Sequence, residues 1–288
     1  MKFNTLLILG AGISCFGLLI CVAFIPSSTS GTMFQDYTKF LTISHSVQPE
    51  LSNEEDETVS REQILDSLYS NASFNYEPSF SFQQLLHSDR TQYITSSDNI
   101  VSAVTSSVFH DTFNRSDTER IWTDLHTVYQ WIRSNIQYHN DTYQGEDGIE
   151  LTGVDVWQFP NQTILLGAGD CEDQAFLLTS LILNYCDSTF YVECLFLQSM
   201  KGIGHVALYL PIQGDFICIL DPATGYITSR TNNALTSQPI EQEISHYLKF
   251  LSQLSNDLWS VSNVFSDDFS IIFSSTDEFT NWLIERTP

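Results

Sequence analysis

The stretch GAGDCEDQAFLLTSLIL, residues 167–183, constrains the fold of this 288-residue chain more than any other. Over residues 171–185 apolar side chains fall on nearly every side of a helical projection, which is typical of a helix buried in a core. Three segments rich in β-branched and aromatic residues follow, at 189–198, 205–210 and 215–220. We therefore predict an α+β fold, in which the buried helix packs on an antiparallel sheet.

Several flanking segments also carry the periodicity of regular structure. Ser116 and Glu119 form a capping box, which predicts that a long helix starts near residue 116. Apolar periodicity also predicts helices after Ser60, over 238–258 and in the closing segment TDEFTNWLIER, with FSIIFS as a last strand. Residues 72–105 alternate aromatic and polar side chains and allow no firm assignment.

The first 25 residues form a separate segment. Residues 6–25 contain no charge and, at a rise of about 1.5 Å each, would span a hydrocarbon core of roughly 30 Å. A cleaved signal peptide has a shorter apolar region, so residues 1–25 are predicted to be a retained transmembrane anchor, with the signal peptide as the alternative. Lys2 favours a cytoplasmic N-terminus, and the rest of a single-pass chain would then be extracytoplasmic. Residues 26–58 are polar and acidic, which indicates a tether to one domain at 59–288.

The composition limits the class of partner. Acidic residues outnumber basic ones by 35 to 11, for a formal net charge of −24, and such a surface repels a phosphate backbone. This charge argues against nucleic acid as a partner. Hydrophobic residues make up 42% of the chain, which is enough for a packed core. We expect a monomer that meets the membrane through residues 6–25.

Three residues near the buried helix and the strands have the types that nucleophilic catalysis needs. A cysteine hydrolase requires a thiolate, an imidazole beside it, and an acid or amide that orients the imidazole. Cys171 would open the buried helix, where backbone N–H groups and the helix dipole favour a thiolate and lower its pKa. His205 would open the second strand segment, and Asp221 would close the third.

The turn between these two strand segments decides whether His205 and Asp221 meet. It contains the sequence PIQGD, and Gly suits the end of a three-residue hairpin loop because that position often has a positive φ. With residues 212–214 as the loop, His205 lies directly opposite Asp221 on the same sheet face. A two-residue loop at 213–214 would put the two side chains on opposite faces.

Taken together, GDCEDQAFLLTSLI, GHVALYL and LDPATG resemble the transglutaminase-like cysteine hydrolase superfamily, which has a papain-like fold. The upstream WQFPNQTILLGAGDCED is similar to the prokaryotic transglutaminase-like cysteine proteinases in particular. The resemblance covers residues 118–225 and implies that Cys171, His205 and Asp221 are the catalytic triad. It implies hydrolysis of amide bonds through a thioester, and we expect a membrane-anchored protease that acts on a protein or peptide substrate.

Two other interpretations of the motifs stay open. One is a catalytically inactive binding or scaffold module that keeps the transglutaminase-like fold. The other is a transglutaminase, deamidase or amidase with the same triad. Trp157 or Gln158 could supply an oxyanion donor or line the cleft, although plain packing explains Trp157 equally well. The remaining cysteines of the predicted domain form one disulfide or stay free thiols, and they are Cys186, Cys194 and Cys218.

Asp170, Glu172 and Asp173 surround Cys171 in the sequence, and each would oppose a thiolate through its charge. Acidic side chains at a helix start can cap its N–H groups and interact favourably with the dipole. They can also hold Ca²⁺, which takes several oxygen ligands, and a proteinase subfamily that resembles this stretch uses calcium near its nucleophile. The sequence itself requires no cofactor, and calcium at these three residues is the metal site that it suggests.

Overall fold

The computed structural model describes residues 39–41, 59–70, 90–109, 112–144, 150–152, 156–229 and 234–287. All of them belong to one compact unit, Gln35–Pro288. The predicted anchor at 6–25 and, apart from residues 39–41, the predicted tether at 26–58 lie outside the described residues. Within the described ranges, no helix has the length and apolar character that crossing a membrane requires.

The described part of the chain contains seven α-helices and eleven short or medium strands. The helices are α1 (Arg61–Tyr69), α2 (Asn99–Val108), α3 (Thr118–Asn135), α4 (Pro160–Leu166), α5 (Cys171–Tyr185), α6 (Ile240–Ser255) and α7 (Thr276–Arg286). The strands are β1 (Gln137–Tyr138), β2 (Thr142–Gln144), β3 (Glu150–Thr152), β4 (Ala168–Gly169), β5 (Glu193–Ser199), β6 (Gly204–Ile212), β7 (Phe216–Asp221), β8 (Tyr226–Ile227), β9 (Gln238–Pro239), β10 (Trp259–Phe265) and β11 (Ser270–Ile272).

The main sheet is antiparallel and has the strand order β11-β10-β5-β6-β7-β8, with β9 also paired to β7. Two small ladders lie apart from it: β1 pairs with β4 in parallel, and β2 pairs with β3 in antiparallel fashion. The parallel pair joins the end of α3 to the segment that leads into α5. It therefore places the chain around residue 138 beside the start of the buried helix.

Helices cover both faces of the main sheet. Val206, Leu208 and Leu210 of β6 belong to a core cluster that includes the apolar side chains of α5. The alternate residues Ala207 and Tyr209 belong to a second cluster, which includes apolar residues of α6 and α7. This alternation is the period of two that a strand imposes on its side chains. The prediction of a buried helix packed on an antiparallel sheet is confirmed.

The sequence placed the start of α3 one residue too early. Asp117 caps this helix, because its side chain accepts a hydrogen bond from the backbone N–H of Arg120 at 3.1 Å. The hydroxyl of Ser116 instead donates to the side-chain oxygen of Asn114 at 2.7 Å. The capping box predicted from Ser116 is therefore wrong, because a local turn before the helix takes up that hydroxyl.

The hairpin between β6 and β7 has a three-residue loop, but the loop lies one residue later than predicted. Ile212 pairs with Phe216, so residues 213–215 form the loop. Gly214 and Asp215 both have positive φ, 86° and 64°. Asp is among the few residues other than Gly that adopt this conformation readily, which allows the loop to extend past the glycine.

This later loop shifts the strand pairing by two residues. Leu208 pairs with Leu220, so His205 is not directly opposite Asp221 as predicted but diagonal to it. A shift by two leaves every side chain on its original face, since side chains alternate with a period of two. The same-face arrangement that the mechanism needs is therefore kept although the predicted register is wrong.

Candidate active site

The glycines before Cys171 shape the approach of the chain to α5. Gly167 ends α4 with a φ of 67°, a left-handed conformation that Gly adopts without strain. Gly169 lies close against Asp173, because a Cβ atom at Gly169 would lie 2.6 Å from the Cβ of Asp173. Asp173 in turn accepts a hydrogen bond from the backbone N–H of Asp170 at 3.3 Å, which caps the start of α5.

Cys171 is the first residue of α5, and 9% of it is exposed. Its thiol donates a hydrogen bond to a carboxylate oxygen of Glu172 at 3.1 Å. Burial raises the pKa of the Cys171 thiol well above its ordinary value, and the charges of Glu172 and Asp170 raise it further. A hydrogen bond from the backbone of Val206 lowers the pKa of the thiol and places the thiol against β6, the strand that carries His205.

The prediction that the helix start lowers the pKa of Cys171 is therefore wrong for the described residues. The favourable dipole of α5 acts on a thiol that has lost its water and stands between two carboxylates. Desolvation and like charge both disfavour a thiolate. Both effects therefore favour the neutral thiol of Cys171.

His205 and Asp221 form a direct hydrogen bond across the β6–β7 hairpin. The distance between His205 Nε2 and Asp221 Oδ2 is 2.8 Å, and Asp221 is completely buried. Burial by itself raises the pKa of Asp221, but the charge of His205 and hydrogen bonds from His205, Thr224 and Tyr247 outweigh it and lower the pKa. An ionised carboxylate only accepts hydrogen bonds, so Nε2 carries the proton in this bond and Nδ1 is the ring nitrogen that the bond does not use.

Asp221 has two further side-chain partners. Tyr247, from the middle of α6, donates its hydroxyl to Asp221 Oδ2 at 2.8 Å. The hydroxyl of Thr224 donates to the same oxygen, and the backbone N–H of Thr224 donates to Oδ1 at 3.2 Å. Sequence reasoning missed both residues. The turn after Asp221 offered a local signal for Thr224, but nothing in the amphipathic pattern of α6 distinguishes Tyr247 from a core residue.

Tyr138 is a third residue of the site that the sequence did not indicate. It pairs with Gly169 through the β1–β4 ladder and is 50% exposed. Burial raises the pKa of Tyr138, and the charges of Cys171, Asp170, Glu172 and Asp221 raise it further. Coulomb interactions weaken with distance, so this phenol lies near both Cys171 and Asp221. Tyr138 is thus an exposed aromatic residue beside the start of α5.

Trp157 and Gln158 are both buried. Trp157 is 2% exposed and packs edge-on against Tyr93 and Phe176, with the Arg90 guanidinium 5.3 Å from its ring centroid. The backbone N–H of Gln158 donates to Asp173 Oδ1 at 2.7 Å. These contacts give Trp157 a packing role and tie Gln158 to the start of α5. Their predicted role in an oxyanion hole or cleft stays a prediction.

The acidic residues around Cys171 separate into two groups that share Asp170. Asp170 and Glu172 bring their oxygens close to the Cys171 sulfur, whereas Asp170 and Asp173 join Asp141 in a cluster of three carboxylates. In each group the ligand atoms lie within 4.8 Å of one another. Burial raises the pKa of Asp173 well above its ordinary value, and the charge of Asp170 adds to this effect, as does that of Asp141. Asp141 was not predicted, since it lies 29 positions before Asp170.

The cysteines of the described chain are free thiols. Cys186, Cys194 and Cys218 are all buried, and none of them forms a disulfide in the described residues. Burial raises the pKa of Cys186 to about 11 and that of Cys194 to about 12. Of the two alternatives left open by the sequence, the structure has free thiols. These three buried thiols serve as internal references for the reactivity of Cys171.

The described residues thus contain a cysteine at a helix start and a hydrogen-bonded His–Asp pair, which are groups that cysteine hydrolases use. Residues 103–231 match the family model of a transglutaminase-like domain. This part of the chain is therefore similar to a transglutaminase-like domain, which confirms the resemblance predicted from its motifs. Tyr247 and α6 lie beyond the matched range.

No curated protein matches this chain. Among solved structures, LapG of Legionella pneumophila has 15% identity and a TM-score of 0.37, with 80% of this chain and 98% of that chain covered. Calcium-bound LapG has 16% identity and a TM-score of 0.35, with 80% and 100% covered. A candidate cysteine protease from Cytophaga hutchinsonii has 16% identity and a TM-score of 0.32, with 56% and 47% covered. Because these TM-scores are low, the description of the fold rests on the strands and helices given above and not on these structures.

Proposed function

We propose that this protein is a cysteine protease that cleaves amide bonds with Cys171, His205 and Asp221. The observation that carries the proposal is the 2.8 Å bond from His205 Nε2 to Asp221 Oδ2, on the hairpin against which the Cys171 thiol rests. The bond fixes the ring so that Nδ1 remains to accept a proton. The transglutaminase-like domain is consistent with this chemistry.

In the proposed reaction, His205 Nδ1 takes the proton of the Cys171 thiol as the sulfur attacks the substrate carbonyl carbon. The imidazolium then donates this proton to the departing amine, which leaves a thioester on Cys171. Water, deprotonated by the same nitrogen, attacks the thioester and releases the carboxylic acid and the thiol. Asp221 stays ionised throughout, because it stabilises the imidazolium and maintains the orientation of the ring.

We further propose that Asp141, Asp170 and Asp173 hold a calcium ion. Carboxylate oxygens are the ligands that Ca²⁺ prefers, and three of them converge here beside the start of α5. Both oxygens of Asp173 accept backbone hydrogen bonds, but each carboxylate oxygen has a second lone pair for a cation. A cation bound there would supply positive charge that offsets the effect of Asp170 on the Cys171 thiol. Glu172 accepts the hydrogen bond of the Cys171 thiol and falls in the other candidate group, so its predicted role as a ligand stays a prediction.

We expect excess Ca²⁺ to raise the melting temperature of the purified protein by about 5 °C or more over its value in EGTA, because a ligand bound only by the folded state stabilises it. Differential scanning fluorimetry measures the shift. Asp141→Asn and Asp170→Asn should each abolish most of it. Asp66→Asn, at an exposed position of α1, should leave it unchanged. The same melting temperature in calcium and in EGTA would contradict the calcium site and leave helix capping as the role of these acids.

The surface before His205 fits a polypeptide substrate. The β5–β6 turn exposes Met200 and Ile203, at 78% and 54%, and Leu258 beside it is 63% exposed. Met200 and Leu258 are held together by a backbone hydrogen bond of 2.9 Å. Such a surface suits apolar side chains next to the bond that is cleaved. It supports a protein or peptide substrate over a small amide.

The location and assembly state are also proposals. We propose a monomer, anchored by residues 6–25 with its N-terminus in the cytoplasm, that presents residues 59–288 outside the cytoplasm. The support is the uncharged apolar run and Lys2 before it. Sequencing the mature N-terminus tests the anchor. A chain that starts near residue 27–32 would show that the segment is a cleaved signal peptide.

The protease proposal is tested on a mixed peptide library, with new amino termini identified by mass spectrometry. We expect new termini from the wild-type protein, none from Cys171→Ala, and unchanged activity in Cys186→Ala, a matched removal of a buried thiol outside the site. Isopeptide products in place of new termini would indicate a transglutaminase, and deamidated glutamine would indicate a deamidase. If Cys171 of the wild-type protein is alkylated no faster than Cys171 of the His205→Ala variant, and no reaction products form, the protein is a binding module.

A further inference from the structure

We propose that Tyr247 is a positioning residue for the catalytic pair, and that helix α6 is therefore part of the catalytic apparatus. The inference rests on the proposed function and extends it beyond the Cys-His-Asp motif. The Tyr247 hydroxyl donates to Asp221 Oδ2 at 2.8 Å, the same oxygen that accepts the His205 Nε2 proton at 2.8 Å. One carboxylate oxygen thus joins His205 of β6 to Tyr247 of α6, which lies 26 positions after Asp221.

The surroundings of Tyr247 hold its hydroxyl in one place. The residue is 1% exposed and belongs to the core cluster that residues of α6 and α7 form with one face of the sheet. Its ring packs against that of Tyr226 at a centroid distance of 4.7 Å. A rotation that breaks the bond to Asp221 would leave a phenol hydroxyl buried without water, which is costly. The donor is therefore preorganised, as a positioning group should be.

Asp221 needs such a donor because the strand pairing alone does not align it with His205. The two residues are diagonal neighbours, and diagonal positions lie farther apart than directly opposed ones. The Asp221 side chain must therefore lean toward His205 along the sheet. Donors from Thr224 and Tyr247 converge on Oδ2 from the following turn and from α6. They select the carboxylate orientation that also accepts the imidazole proton.

The environment of Tyr247 also connects it with the nucleophile. Burial raises the pKa of Tyr247 well above its ordinary value, and the adjacent charge of Asp221, the hydrogen bond to Asp221 and the charge of Cys171 raise it further. The phenol therefore stays protonated and remains a donor throughout the reaction. Tyr247 does not touch a substrate atom in this proposal and acts only through Asp221.

The test is Tyr247→Phe, which removes the hydroxyl and keeps the ring. The matched control is Tyr226→Phe. The ring of Tyr226 lies beside that of Tyr247, and its hydroxyl donates to Glu243 at 2.7 Å. The first readout is the rate of Cys171 alkylation by iodoacetamide, followed by peptide mass spectrometry with buried Cys186, Cys194 and Cys218 as references. The second is the proton resonance of the His205 Nε2–H group, which reports the bond to Asp221 directly.

We expect Tyr247→Phe to slow alkylation by about fivefold or more and to shift the His205 resonance, because a loosened Asp221 no longer holds the imidazole for proton transfer. Tyr226→Phe should leave both unchanged. Equal rates and resonances in Tyr247→Phe and wild type would overturn the inference, as would an equal loss in both variants, which would indicate packing. Failure of the proposed function is distinct, since His205→Ala would then alkylate at the wild-type rate.

A second measurement covers the case in which Tyr247→Phe does not fold. Wild-type protein labelled with 3-fluorotyrosine has a more acidic phenol at position 247, which donates more strongly to Asp221. The His205 Nε2–H resonance should then shift relative to unlabelled protein. An unshifted resonance would overturn the inference.

Discussion

Replacing Asp221 with Asn is expected to lower the rate of peptide-library hydrolysis by about 10²–10⁴-fold at neutral pH. An Asn side chain keeps the shape of Asp but presents an amide donor where His205 Nε2, Thr224 and Tyr247 all donate. The imidazole would then turn or change its tautomer, and Nδ1 would no longer accept the thiol proton. The number of new amino termini formed per unit time measures the loss.

The matched control for Asp221→Asn is Asp215→Asn in the exposed loop of the same hairpin. Asp215 has a φ of 64°, a conformation that Asn also adopts readily, so this variant should keep the wild-type rate. Unfolding in urea separates catalysis from stability. An Asp221→Asn variant that hydrolyses peptides at close to the wild-type rate would refute the triad.

The pH dependence of stability gives Asp221 a second signature. Its pKa is lowered in the folded protein, so the ionised group stabilises the fold above the unfolded value of about 3.9. That contribution is lost as the pH falls through the lower folded pKa. The difference in unfolding free energy between wild type and Asp221→Asn should therefore narrow as the pH falls below about 4. A difference that grows on acidification would contradict the assignment.

Replacing Arg286 with Met is expected to lower the free energy of unfolding by about 3–5 kcal/mol, because it leaves the carboxylate of Glu193 buried without its cation. Arg286 Nη1 donates to Glu193 Oε2 at 2.8 Å, and Glu193 is completely buried in β5. Tyr209 also donates to this carboxylate. Burial alone lowers the pKa of Arg286, but the charge of Glu193 outweighs it, so the guanidinium stays charged.

Urea unfolding measures the effect of Arg286→Met, with Lys249→Met at an exposed position of α6 as the control for losing one cation. The guanidinium also lies over the rings of Tyr191 and Trp282, at 4.4 and 4.9 Å from their centroids, and a Met side chain keeps part of that packing. The double variant Glu193→Gln/Arg286→Met should recover part of the loss, since no buried charge remains. A loss below about 1 kcal/mol would mean that the pair is solvated.

Local patterns predicted the elements that surround the site. The buried helix begins at Cys171 and ends at Tyr185. Its apolar residues lie on all sides and leave no face for solvent. The Gly-Ala-Gly sequence before it blocks extension toward the N-terminus. The closing helix Thr276–Arg286 matches the predicted segment as well. The missed elements are α2, α4, β10 and the short strands β1, β2, β3, β4, β8 and β9. The aromatic and polar alternation before residue 105 obscured α2, and α4 is only seven residues long.

The sequence by itself determined the family, the buried helix and the residue types at Cys171, His205 and Asp221, since each follows from local spacing and a run of motifs. Only the tertiary structure decided the strand register, the raised pKa of the Cys171 thiol and the parts played by Asp141 and Tyr247. A turn can lie one residue later along the chain without leaving a trace in hydrophobic periodicity. A pKa depends on burial and on charges that distant segments bring together, and a hydrogen bond between α6 and β7 exists only once the sheet lies between its two layers of helices.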